Sequence, residues 1–221
     1  MVFKDMSQNI INPTHVIYFG ASVAKYTMPL ELVEKLNKTF DEHKEQKKLE
    51  SHNSKLVGII NEEWKVAHLL DTESLNFFNG CLINYINNAS TIKQKIKKIE
   101  ITSCWFNDQK ENEFNPAHIH FGFSPIGISS VLFLKVPDCI NNAKPKNDWE
   151  PAKEGRLEFI YQQGMFFGKN THLVHPVVGD LYLFAYEMPH TVYPFKGEGI
   201  RRSMSFNTDV FLENLDGQEK R

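Results

Sequence analysis

Cysteine is scarce in this 221-residue chain: Cys81, Cys104 and Cys139 are the only three, widely spaced and without a CxxC pair. A disulfide framework is therefore not expected, and a reducing cytoplasm suits the chain better. Long hydrophobic runs are also missing. Stretches such as Ile128 to Val136 fall far short of the ~20 apolar residues that a membrane-spanning helix needs. The first ten residues, MVFKDMSQNI, lack the uninterrupted apolar region of a signal peptide. Neither sign of charge dominates, with 25 Lys plus Arg against 27 Asp plus Glu and a net charge of −2. The electrostatic signature of a nucleic-acid partner is thus absent. Internal repeats and low-complexity tracts are absent too. What remains is an ordinary globular composition, 41% hydrophobic and 24% charged, in a 25.6 kDa chain sized for one domain. Such a chain buries roughly 70% of its unfolded surface on folding.

The texture changes near residue 98. Before it, helical signals prevail. Pro29 suits a first helical turn, and Val33, Leu36 and Phe40 recur at spacings of three and four. That helix is expected to run out in the charged stretch Asp41 to Glu50. A second helix is expected over Thr72 to Asn88, capped by Asp71 or Thr72, with Leu75, Phe78, Leu82 and Ile86 as its apolar stripe. The basic cluster Lys93, Lys95, Lys97 and Lys98 reads as a solvated face.

After it come short segments separated by Pro, Gly and Asn, with no helices between them. Strands are expected at Ile99 to Asn107, Ala117 to Phe121, Ser129 to Val136, Arg156 to Ile160, Leu173 to Val177, Asp180 to Ala185 and Ile200 to Asn207. This order favours an antiparallel sandwich or barrel over a parallel sheet. Asp138 to Gly155, rich in Asn, Lys and Pro, reads as a long mobile insertion and a candidate lid with Trp149 as its apolar anchor. The expected layout is one domain: mostly helical support over 1–98, a β core over 99–210 and a polar tail over 211–221.

Chemistry-bearing residues gather in the β region. In a strand, residues two apart share a face, so His118 and His120 can reach one point. Neutral imidazole is a good ligand for iron, zinc, copper or nickel. His190, at the far end of the apolar strand that starts at Asp180, is the candidate third ligand, 72 residues beyond His118. Alternation in the last strand places Arg201, Ser203 and Ser205 on one face. An arginine projecting into a barrel is costly unless it meets an anion, and its fork matches a carboxylate. Arg202, on the opposite face, is expected to tolerate substitution. Ser103, Trp105 and Asn107 share a face of the first strand, with Asn107 as a possible ligand contact. His172 and His175 point to opposite sides of their strand, and His15, His43, His52 and His68 read as structural.

Taken in order, Trp105-x-Asn107, His118-x-His120, Ser129 to Leu134, Gly155 to Phe159, Pro176-x-x-Gly179, His190 and Arg201-x-Ser203-x-Ser205-Phe206-Asn207 resemble the 2-oxoglutarate- and Fe(II)-dependent oxygenases of bacteria and phages. The resemblance covers about Ile99 to Asn207. It implies a mainly β protein with a double-stranded β-helix (jelly-roll) core and helices packed outside. It implies a dioxygenase, an oxidoreductase with iron at the barrel mouth and 2-oxoglutarate as co-substrate, hydroxylating an unactivated carbon of a peptide or small-molecule substrate. On that basis His118 and His190 are iron ligands, and Arg201 and Ser203 grip the co-substrate, with Asn107 beside them. A homodimer is compatible with it, as is a location in the host cytoplasm if the chain is phage-encoded.

One position departs from the wider superfamily, whose triad is two histidines and a carboxylate. His120 occupies the acidic slot. Three arrangements stay open. His120 ligates the iron as a third histidine, or it stands aside for a carboxylate such as Glu113 or Asp108, or His120 and His190 ligate without His118. Two other classes compete. A cupin-type metalloenzyme shares the barrel and HxH but expects a glutamate where Ser124 stands, and it has no need of Arg201. A non-catalytic jelly-roll binding protein needs no metal.

Overall fold

The computed structural model describes residues 20–52, 58–89, 92–145, 147–161 and 169–213. His15 and residues 214–221 of the expected polar tail lie outside that set. The chain begins with strand β1 (Val23–Thr27), helix α1 (Leu30–Glu45), two short strands β2 (Glu50–Ser51) and β3 (Glu63–Lys65), and helix α2 (Thr72–Ala89). The β region follows with β4 (Ile96–Gln109), β5 (Asn115–His118), β6 (Gly127–Lys135), the single-turn helix α3 (Asp138–Asn141), β7 (Leu157–Ile160), β8 (Thr171–Val174), β9 (Asp180–Ala185), β10 (His190–Val192) and β11 (Arg201–Leu212).

The strands form a seven-stranded sheet, β1-β9-β6-β11-β4-β3-β2, and a four-stranded sheet, β5-β10-β7-β8. Every neighbouring pair of strands is antiparallel. This is the antiparallel architecture that the turn-rich second part favours, in the jelly-roll form that the family resemblance implies.

Two-residue periodicity decides what each face of the large sheet carries. On its outer face, Ile128, Leu132 and Leu134 of β6, Leu181 and Leu183 of β9, and Met204 and Phe206 of β11 pack under the helices. Leu32, Val33, Leu36 and Phe40 of α1, with Phe78 and Leu82 of α2, complete that layer. The alternate residues Val131, Phe133, Tyr182 and Phe184 point inward. There they meet Leu157, Phe159, Val174 and Val192 of the small sheet. With both faces covered, β6 is buried from Gly127 through Leu134. Polar residues on the inner faces of β4 and β11 are the exception to this apolar filling, and they mark the site.

The helices follow their local signals. Asp71 caps α2 by accepting from Ser74 N at 2.8 Å. Its buried face is centred on Phe78, Cys81, Leu82 and Tyr85, so Leu75 and Ile86 sit at the margins. The amino-terminal part also contributes strands. β1 pairs with β9 and β3 with β4, and both extend the large sheet. No helix among the described residues is long and apolar enough to cross a membrane.

The segment Asp138 to Gly155 is, as expected, a long connection between strands, from β6 to β7, with α3 at its start. Ile140 and Ala152 are buried, while Trp149, the expected anchor, is 86% exposed. Gly155 adopts φ +62°, and a Cβ there would lie 2.2 Å from Ile140. Among its described residues none lines either of the two cavities described below. Ile140 and Gly155 pack the two ends of the segment against each other.

Candidate active site

Four strands deliver the site. β5 and β10 pair so that His118 lies directly opposite His190, and their rings approach to 4.3 Å between centroids. β5 ends at His118, two residues short of His120. Strand alternation therefore does not bring His120 in. The backbone N–H of His120 donates instead to Tyr186 O at 2.9 Å, and this holds the ring 5.0 Å from that of His190 and within 15° of parallel. The Nε2 atoms of His120 and His190 are 3.3 Å apart. The three side chains can each offer a ring nitrogen within 4.8 Å of the other two.

Tautomers are partly fixed by the backbone. Nδ1 of His118 lies 2.7 Å from Pro116 O and Nδ1 of His190 lies 3.0 Å from Met188 O. Each Nδ1 therefore carries the proton and donates, leaving Nε2 as the free lone pair, the usual arrangement of a ligating histidine. Burial holds all three imidazoles neutral. His118 is lowered by desolvation; His120 falls to about 3 and His190 to about 4, through desolvation and then the neighbouring rings.

Cis ligands about 2.1 Å from a shared ion stand about 3 Å apart. The 3.3 Å separation and the neutral donor set therefore fit a divalent metal. The two carboxylates considered as alternatives face elsewhere. Asp108 is bound by Arg202 and Lys44, and Glu113 accepts from Asn61 Nδ2 and Lys110 N.

On the inner side of the histidines, β4 and β11 line a cavity of about 440 Å³, its open mouth included. Asn107, Arg201 and Ser203, read from alternation, all line it. Arg201 is 1% exposed. Its guanidinium lies 4.9 Å over the Phe133 ring and reaches Ser203 Oγ at a long 3.5 Å. Nε and Nη2 find no protein partner. Burial lowers its pKa to about 9, a cost that an anion in the cavity would offset.

Asn107 faces Glu63 across the β3–β4 pair. With its amide turned to satisfy both ends, it donates to Glu63 Oε1 at 3.2 Å. Glu63 is 1% exposed, and burial together with nearby Glu113 pushes its carboxyl up to about 7. The folded chain thus keeps a proton there that the unfolded chain releases near 4.5. The stabilisation is present below 4.5 and is lost as pH rises to 7. Glu63→Gln should therefore gain stability relative to the parent as pH rises from 5 to 8, read as the difference in urea midpoints. A constant difference across that range would show that Glu63 does not carry the proton.

Sequence reading missed several lining residues. Ser130 borders the cavity although it shares the outer-face parity of Ile128 and Leu132, and Asn115 opens the histidine strand; only Ser205 follows the alternation already used. His52, read as structural, stacks on Trp105 at 5.2 Å; no local periodicity announces it. His172 and His175 line neither cavity.

Residues 103–207 match the model of the family described as "Putative 2OG-Fe(II) oxygenase". The jelly-roll core is similar to the 2OG-Fe(II) oxygenases. The chain is thus an oxidoreductase that uses Fe(II) and 2-oxoglutarate. No curated protein matches the chain. Among solved structures, a prolyl-4-hydroxylase from Pseudomonas putida aligns with TM-score 0.54 at 18% identity, covering 88% of this chain and 94% of its own. A Trichoplax adhaerens prolyl hydroxylase, solved with a hypoxia inducible factor peptide fragment, gives 0.56 at 13%, covering 86% and 84%. The carbocyclase SnoK from nogalamycin biosynthesis gives 0.56 at 10%, covering 90% and 85%. At these identities the likeness is one of fold.

Proposed function

We propose that His118, His120 and His190 hold the iron of this oxygenase, that Arg201 and Ser203 fix the distal carboxylate of 2-oxoglutarate, and that the reaction hydroxylates an unactivated carbon of a peptide or small molecule. The carrying observation is the pairing, in one cavity, of three neutral imidazoles with a buried guanidinium whose Nε and Nη2 lack partners. A cupin-type centre that does not use 2-oxoglutarate leaves Arg201 unexplained. A prolyl hydroxylase solved with a peptide fragment and a carbocyclase of nogalamycin biosynthesis are both among the structural neighbours. The near-balanced charge goes with no nucleic-acid partner, and the free thiols of Cys81, Cys104 and Cys139 suit a reducing cytoplasm.

When bound, iron supplies the activation of dioxygen that couples decarboxylation of 2-oxoglutarate to substrate oxidation. The protein's own part is placement. Pro116 O and Met188 O hold two rings with Nε2 toward the centre. Arg201 takes the co-substrate carboxylate through its planar fork, and Ser203 adds a hydroxyl. Trp105, Val131 and Val192 wall the cavity and keep water from the reacting atoms. His120 fills the acidic slot, so the protein contributes no negative charge to the centre.

Arg201→Lys tests the co-substrate assignment. Lysine keeps the charge but loses the fork, so the Kd for 2-oxoglutarate, measured with Mn(II) in place of iron, should rise about tenfold or more. An unchanged Kd would remove Arg201 from the co-substrate site.

A further inference from the structure

A second cavity opens on the other side of the same histidines. It encloses about 1090 Å³ with its mouth, and it shares Trp105, His118 and His120 with the inner one. Its outer wall is the loop after β5, where Phe121 is 79% exposed and Phe123 69%. Two neighbouring phenylalanines held in water are unfavourable unless something covers them.

This loop is built to present them. Asp209, fully buried, accepts from the backbone N–H of Phe123 at 2.8 Å and of Ser124 at 3.2 Å. Its other oxygen accepts from Tyr186 Oη at 3.0 Å. Gly122 passes so close that a Cβ would lie 1.8 Å from that carboxylate. The backbone is pinned from beneath while both rings point away from the core.

The opposite wall is Trp105 with His52 stacked on it. Between the walls, Ser103 and Asn207 lie side by side across the β4–β11 pair, and Asn207 Oδ1 is buried without a partner. No Asp, Glu, Lys or Arg side chain lines this cavity among the described residues.

Resting on the iron and 2-oxoglutarate assignment above, we propose that this cleft binds the substrate as an uncharged peptide segment. Its apolar side chain is gripped between Phe121 and Phe123 on one side and Trp105 on the other. Its amide is read by Ser103 and Asn207. An amide supplies both the donor that Asn207 Oδ1 lacks and an acceptor for the Ser103 hydroxyl. The absence of charge in the walls penalises a charged side chain, which would lose its hydration without a partner. The cleft opens on the histidines, so the gripped residue is the one presented for oxidation.

The test uses N-acetyl-Ala-(4-fluoro-Phe)-Ala-amide, followed by fluorine NMR with the full chain. Competitors are N-acetyl-Ala-X-Ala-amides with X = Leu, Lys or Glu, and 4-fluorophenethyl alcohol tests an aromatic group without the amide. The fluorinated peptide should bind. The Leu peptide should displace it, and the Lys and Glu peptides should do so at least about tenfold more weakly. The paired change Phe121→Ser and Phe123→Ser should weaken binding about tenfold or more, and Asn207→Ala about threefold or more. Ile83→Ser, an exposed apolar change on α2, should leave binding as it was. Retained affinity in the paired variant, equal competition by charged peptides, or no binding of the fluorinated peptide would overturn the proposal. Equally tight binding of the alcohol would overturn the peptide assignment. A thermal shift by Mn(II) plus 2-oxoglutarate is read on the same preparation. That shift without peptide binding defeats the cleft assignment alone, and peptide binding without the shift defeats the iron and 2-oxoglutarate reading instead.

Discussion

Asp108→Ala should lower the unfolding free energy by about 3–5 kcal/mol, the usual result of stripping one partner from a buried ion pair. Asp108 is fully buried and Arg202 is 2% exposed. The guanidinium binds the carboxylate in a bidentate fork, Nε to Oδ1 at 2.6 Å and Nη2 to Oδ2 at 2.8 Å. Lys44 reaches the same carboxylate at 2.9 Å, and Asp41 and Asn37 take the rest of the fork. Helix α1 is thereby locked to β4 and β11, with the Arg202 guanidinium also lying 4.3 Å over the Phe40 ring. The loss corresponds to roughly 6–20 °C in Tm for a chain of this size.

Burial alone would raise the Asp108 pKa, but Arg202 and Lys44 hold it below the usual aspartate range. The stability it confers is thus fully present above the ordinary aspartate pKa and is lost as pH falls below it. Asp108→Leu combined with Arg202→Met should lose less than Asp108→Ala alone, since no buried charge is left uncompensated by its main partner. A loss below about 1 kcal/mol for Asp108→Ala would contradict the interlock, being the size of an exposed pair.

His190→Ala should weaken metal binding at least about a hundredfold, or about 2.7 kcal/mol, because two imidazoles hold a divalent ion poorly. His118→Ala should do the same. His120→Ala decides the acidic slot: a comparable loss makes it the third ligand, and unchanged affinity removes it from the centre. Anaerobic Fe(II) titration by calorimetry measures all three. In the parent chain the affinity should hardly change from pH 8 to pH 6, because His120 near 3 and His190 near 4 do not take up protons there. A steep loss by pH 6 would mean that the rings titrate normally.

Much of this was legible in the sequence wherever a local rule acts alone. The Asp71 cap, the α1 face and the β9 strand follow from capping and periodicity. The inward placement of Trp105, Asn107, Arg201 and Ser203 follows from alternation. The pairing of His118 with His190 required only that the sheet close. Other features depend on contacts that no local pattern encodes. β10 is three residues long and β1 lies in a stretch of helical texture, so neither carries enough alternation to be seen. Arg202, expected to tolerate substitution, shows its structural role only when Asp108, 94 positions earlier, is placed against it. The same holds for His120, brought in by a hydrogen bond to Tyr186 and not by strand geometry. Exposure of Phe121 and Phe123 is likewise invisible without Asp209, which fixes their loop from below.

The most direct test of the oxygenase assignment is release of succinate from 2-oxoglutarate by the purified chain in air, with Fe(II) added or withheld and with Arg201→Ala beside the parent. Slow, Fe(II)-dependent succinate formation is expected even without substrate, falling at least about tenfold in Arg201→Ala at subsaturating 2-oxoglutarate. No succinate from an iron-loaded parent, or equal rates with and without the Arg201 guanidinium, would contradict it.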